Sequence, residues 1–184
     1  GLDYHWHPDQ KEAQEECFVR QLEWARELKK PVIIHNRKAD EDIIRVTNKY
    51  PDVTMVFHCF CSDESFVERT ISENRYYSVT GLITYSKKGK TIRAVKQIPI
   101  EHIMLETDCP YLSPKNQQDN DNEPAFIPEI AQKLADVKDE SLADIALITT
   151  RNARRFFNIR SWSSGPSSGS HDFQQIADNS GNCY

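Results

Sequence analysis

Three residues with metal-binding chemistry stand at the ends of short apolar runs. His35 closes "PVIIH", His58 closes "VTMVFH", and Asp108 follows "HIMLE" in "LETDCPY". Strand interiors favour Val and Ile over imidazole or carboxylate. At the carboxyl end of a parallel strand, by contrast, a polar side chain points into the loops that form the working face of an α/β enzyme. Neutral imidazole and carboxylate together suit a divalent ion such as zinc, and they also accommodate manganese or magnesium. A single histidine so placed is more simply a rim residue with its hydrogen bonds satisfied. Two in succession, followed by an aspartate at a third strand end, point to metal ligation. Asp3 in "GLDY" and Thr80 in "YYSVT" end two further runs.

The elements that must carry these residues alternate in kind. Residues 10–30 have Ala13, Cys17, Phe18, Leu22, Ala25 and Leu28 at three- and four-residue steps, which predicts an amphipathic helix stopped by Pro31. Helices are likewise expected in "DEDIIRVTNKY", "DESFVERTISEN" and "KTIRAVKQI". Two more are expected after the polar loop 113–123, the last with a stripe of Leu142, Ile145, Ala146, Ala153, Phe156 and Phe157. Between them lie five nearly continuous apolar strands, the signature of a parallel sheet covered by helices. Right-handed crossovers leave an open doubly wound sheet or part of a (β/α)8 barrel. No glycine-rich phosphate loop follows any strand, which disfavours a nucleotide-binding doubly wound fold. Residues 1–160 read as one domain, and 161–184, rich in Ser, Gly, Asn and Asp, as an appended disordered tail in which His171 has no role.

A net charge of −5 argues against a protein that coats nucleic acid with a broad basic face. It is compatible with a nuclease whose positive charge resides in bound metal. The five cysteines match no disulfide framework and read as reduced thiols, placing the chain in the cytoplasm, or in the nucleus of a eukaryote. No run is long enough to span a bilayer, and no obligate protein partner is evident. Cys59 and Cys61 form a C-x-C pair with no second pair to complete a zinc site.

"PVIIHNRKADE", "FHCF" and "IPIEHIMLETDCPYLSP" resemble, in order, three motifs of the TatD-related metal-dependent deoxyribonucleases of the amidohydrolase superfamily. "GLDY", "NEPA" (122–125) and "RNARRFF" (151–157) match further landmarks, so the resemblance runs from Gly1 to about Ile159. It implies a TIM-type (β/α)8 barrel, DNA as substrate, and one or two divalent ions, Mg, Mn or Zn. It assigns His35, His58 and Asp108 as metal ligands, with Asp108 also the catalytic proton acceptor. It places Arg37 where a substrate phosphate is neutralised; the plainer reading of Arg37 is a helix-cap contact. Glu106 falls on the side of Asp108 one layer deeper, as a structural residue, and Asn122 and Glu123 brace their loop. The basic run "SKKGKTIRAVK", with Lys87 and Lys88 at its start, is either a track for a nucleic-acid backbone or a solvated helix face.

The family pattern also holds a His-x-His pair after the first strand and a glutamate two residues before "GLDY". "HWH" (5–7) has the right letters in another place and reads as loop. The expectation is therefore an incomplete barrel, strands four to eight with their helices. Two alternatives stand beside the nuclease: a hydrolase of a small ester, lactone, amide or phosphotriester on the same metal face, and a catalytically inactive fragment with a binding role.

Overall fold

The computed structural model describes residues 1–85 and 88–159. Lys87, the tail 161–184 and His171 lie outside the described residues. In chain order the elements are β1 (Leu2–Asp3), α1 (Lys11–Leu28), β2 (Val32–Ile34), β3 (Asn36–Arg37), α2 (Asp40–Thr47), β4 (Met55–Phe57), α3 (Glu64–Thr70), β5 (Arg75–Val79), α4 (Lys90–Gln97), β6 (Ile103–Leu105), α5 (Ile127–Lys138) and α6 (Leu142–Phe156). β2 and β3 continue one strand across His35. All pairings are parallel, β1 with β3 and then β2-β4-β5-β6 in order, so β1 and β6 form the edges of an open sheet among the described residues.

Parallel strands need long crossovers, and the helices supply them. On one face of the sheet Met55, Phe57, Tyr77, Val79 and Ile103 pack against Phe18, Leu22, Ile43, Phe66 and Leu134 from the helices. Phe57 meets Phe66 edge-on at 5.0 Å. Each such side chain contributes roughly 1.5–3 kcal/mol when fully buried. The opposite face holds a smaller cluster of Val56, Tyr76 and Met104, covered by Phe156 and Ala153 of α6. Ile33, in register with Val56 and Tyr76, shares that face but is 57% exposed.

The predicted stripes need two corrections. In α1 only Phe18, Leu22 and Ala25 are buried, while Cys17 and Leu28 face outward. At 3.6 residues per turn Leu28 points about 80° away from Phe18, past the edge of the buried stripe. In α6 the buried face is Ile145, Thr149, Asn152 and Phe156, with Leu142 and Phe157 exposed. Its polar members are buried because they are bonded: Thr149 Oγ1 donates to Ile145 O at 2.7 Å, and Asn152 Nδ2 donates to Ile100 O and Ile103 O, both at 2.8 Å. Those last two bonds fasten α6 to the entrance of β6.

Arg75, at the start of β5, is 2% exposed and donates to the carbonyls of Thr47, Tyr50 and Val53. Burial lowers its pKa, yet its two terminal nitrogens find three carbonyl acceptors, and only Nε is left without a partner among the described residues. At the other end of β5, Gly81 lies so close to the loop after β6 that a Cβ there would stand 2.2 Å from Leu112 O. Tyr85 Oη donates to Ser113 O and the Lys115 amide to Thr84 Oγ1, so these two loops are tied together.

Candidate metal centre and active site

Strand alternation decides which side chains meet. Val56 faces the smaller cluster, so His58, two residues on, emerges on the same side. By the same step His35 follows Ile33, Ser78 and Thr80 follow Tyr76, and Glu106 and Asp108 follow Met104. The strand-end residues therefore converge above one face of the sheet.

His58 is the centre of this group. Its Nδ1 lies 2.9–3.0 Å from the Glu106 carboxylate, and its Nε2 lies 3.7 Å from Asp108 Oδ1. A carboxylate only accepts, so Nδ1 carries the proton and a neutral His58 turns its Nε2 lone pair toward Asp108. The hydrogen bond that Nδ1 donates to Glu106 raises the His58 pKa against the opposing effect of burial. Glu106 also accepts from the Cys59 amide at 2.6 Å, which joins the end of β6 to the end of β4. The chain turns sharply just past both strand ends, with Cys59 and Asp108 at φ 47° and 60°.

The His35 ring lies 6.2 Å from that of His58. Its Nε2 donates to Asp3 Oδ2 at 2.9 Å, while Asp3 Oδ1 accepts from the amides of His5 and Trp6. Burial would raise the Asp3 carboxyl, but the His35 bond and the two amides outweigh it and hold it below its ordinary value. Gln14 of α1 locks this loop further, accepting from the Asp3 amide and donating to the carbonyls of Asp3 and His7.

Asp108 sits in a loop gripped by Asn122. The Asn122 Nδ2 donates to Thr107 O at 2.5 Å and to Tyr111 O at 2.6 Å, and its amide donates to Pro110 O at 2.9 Å. Asn122 is buried, which explains why an amide in a polar stretch is tightly held.

The donor set suits a divalent ion in kind. Two ligands at about 2.0–2.1 Å from one ion are separated by at most about 4.1 Å, and His58 Nε2 and Asp108 Oδ1, at 3.7 Å, fall inside that limit. His35 is the nearby third donor, with its Nε2 engaged by Asp3. As placed, no three His, Cys, Asp or Glu side chains converge on a single point among the described residues. Cys59 and Cys61 are poor candidates, because burial pushes both thiols up, that of Cys59 to about 12.

Of the other residues singled out in the sequence, Arg37 makes no helix-cap contact, since α2 has no side-chain cap. Its guanidinium instead lies 5.4 Å from the centre of the Trp6 ring. Lys88 is exposed in the turn leading to α4. In the basic run, Arg93 pairs with Glu64 of α3 at 2.5 Å, as a solvated helix face does. Sequence reasoning missed the Asp3–His35 pair, the Glu106–His58 bond and the place of Trp6. Asp3 carried a readable signal, a carboxylate at the end of the strand beside His35.

A family model described as TatD related DNase matches residues 1–158. The chain is 37% identical over 161 residues to the uncharacterized metal-dependent hydrolase YabD of Bacillus subtilis, covering 86% of this chain and 63% of the relative. It is 33% identical over 166 residues to the 3'-5' ssDNA/RNA exonuclease TatD of Erwinia tasmaniensis, covering 86% and 64%. Among solved structures, the TatD homologue YJJV of Escherichia coli K12 superposes with a TM-score of 0.80 at 26% identity, covering 87% of this chain and 62% of that one. A TatD family hydrolase of Entamoeba histolytica does so with a TM-score of 0.73 at 25% identity, covering 85% and 61%. The fold is thus an α/β parallel sheet of the TIM-barrel-like kind found in these neighbours. The chain spans about three fifths of the length of the curated relatives it matches. With a family match over nearly all of the described residues, the chain belongs to the TatD-related DNase family.

Proposed function

We propose that this site hydrolyses phosphodiester bonds in DNA, with His35, His58 and Asp108 holding a divalent ion. The observation that carries the reading is His58 clamped between Glu106 and Asp108, with His35 beside it at the mouth of the sheet. Names of relatives support it: several are called metal-dependent hydrolases, and others 3'-5' ssDNA/RNA exonucleases. When bound, the ion lowers the pKa of a water and polarises the phosphoryl oxygen.

The protein's own groups divide the remaining work. Glu106 fixes the tautomer and direction of His58, a role that outer carboxylates commonly play for ligating imidazoles. Asp108 accepts the proton of the attacking water on its carboxylate. Arg37 neutralises a phosphate oxygen, and Lys88 meets the backbone further along the strand.

His58→Ala and Asp108→Asn should each lower metal-stimulated cleavage of a labelled oligonucleotide by ~10²-fold or more. Rates like those of the wild type in both variants would refute the assignment. Turnover of small esters, lactones or phosphotriesters without oligonucleotide cleavage would transfer the site to another substrate class.

A further inference from the structure

Trp6 stands out because it is large, apolar and 66% exposed, yet held in place. Its amide donates to Asp3 Oδ1 at 3.2 Å, which anchors the loop to the His35 side of the centre. The His5 ring meets the indole edge-on at 4.7 Å, and Arg37 lies over the ring. A pinned indole left open to solvent offers a flat, low-entropy surface. Arg37 also lines a cleft of about 560 Å³, together with Lys11, Lys38 and Lys90. Three acids share that cleft, but each already has a partner: Asp40 accepts from Asn36 and Ser62, Glu41 from Arg69, and Asp42 from Tyr4 and Arg45. Among the described residues, Lys38 and Lys90 have no carboxylate partner.

An aromatic face beside a row of cations is the combination that single-stranded nucleic acid recognises, base on ring and phosphate on charge. A duplex keeps its bases stacked inside and cannot use such a face. We propose that Trp6 stacks an unpaired base of the polynucleotide next to the scissile phosphate, while Arg37 and the lysine-lined cleft hold the adjoining backbone. This stacking role for Trp6 rests on the hydrolase reading above.

The molecule contains its own control. Trp24 is 50% exposed with Arg20 5.6 Å from its ring centre, but both lie on the solvent face of α1 with no strand-end cluster beside them. The test uses the full chain carrying Trp24→Phe and Trp162→Phe, so that Trp6 is the sole tryptophan of the original three. Titration with a short oligothymidylate in EDTA should quench its fluorescence to saturation, and an abasic oligomer of equal length should quench far less. In otherwise wild-type protein, Trp6→Ala should weaken oligothymidylate binding about tenfold, Trp6→Phe should restore most of the loss, and Trp24→Ala should bind normally. Equal binding by Trp6→Ala and wild type, or equal quenching by the abasic oligomer, overturns the stacking role. Cleavage assays run in parallel separate the two readings. Stacking without cleavage defeats the hydrolase alone, cleavage with normal Trp6→Ala binding defeats the stacking alone, and neither binding nor cleavage defeats both.

Discussion

Glu106 shows how a residue outside the proposed ligand set can govern it. Its carboxylate sets the proton on His58 Nδ1 and, through the Cys59 amide, joins two strand ends. Glu106→Gln should lower both Mn²⁺ affinity by calorimetry and cleavage by about 10–100-fold, the usual cost of losing an outer-shell partner. An unchanged affinity would confine Glu106 to the scaffold. The cysteines give an independent check of the local environment. Iodoacetamide at pH 8 should label exposed Cys17 and leave Cys59, whose thiol is pushed up to about 12, largely unmodified, as read by peptide mass mapping. At this scale the sequence displayed the proposed ligands but not their partners. His35, His58 and Asp108 were legible because imidazole and carboxylate are conspicuous after Val and Ile. The bonds that orient them join residues 32 and 48 positions apart, and loop geometry rather than local pattern sets those distances.

Elements were legible where periodicity was strong, and every predicted strand and helix has its counterpart. What could not be read was the use of polar residues as core. Asn152 lies in a helix whose apolar residues suggested a different face, and it is buried only because the start of β6 offers two carbonyls. Asn152→Ala leaves those carbonyls short of a donor in a dry place, and should cost roughly 1–3 kcal/mol in urea unfolding. Lys138, in the last turn of α5, makes a second such tie by donating to Lys96 O and Ile98 O. Burial lowers its pKa from 10.5 to about 8. Between those two values the unfolded chain binds the extra proton, so this group makes stability rise with pH across the window and stay flat below it. The rise in Tm from pH 8 to pH 10 should therefore be smaller in Lys138→Met than in the wild type, because tyrosines and thiols act equally in both.

Over the whole molecule the sheet has two unlike faces. The face packed by the crossover helices holds the main core, while the other carries a small apolar cluster below the strand-end groups. Val56 and Ile33 are neighbours there, 3% and 57% exposed. Val56→Ala should cost ~1–2 kcal/mol and Ile33→Thr within about 0.5 kcal/mol by urea unfolding, and comparable losses would mean that the second face is covered in solution. The loops above this face are bound to one another as well as to their strands, and Gly81 is where the fit is closest. It has no functional group, and a search for catalytic chemistry would pass over it. Yet the first carbon of any side chain at 81 would collide with a peptide oxygen in the segment that follows Asp108. The rim therefore owes its shape to a missing atom, and even alanine at 81 would act as a wedge, prising apart two loops from a position that carries no chemistry of its own.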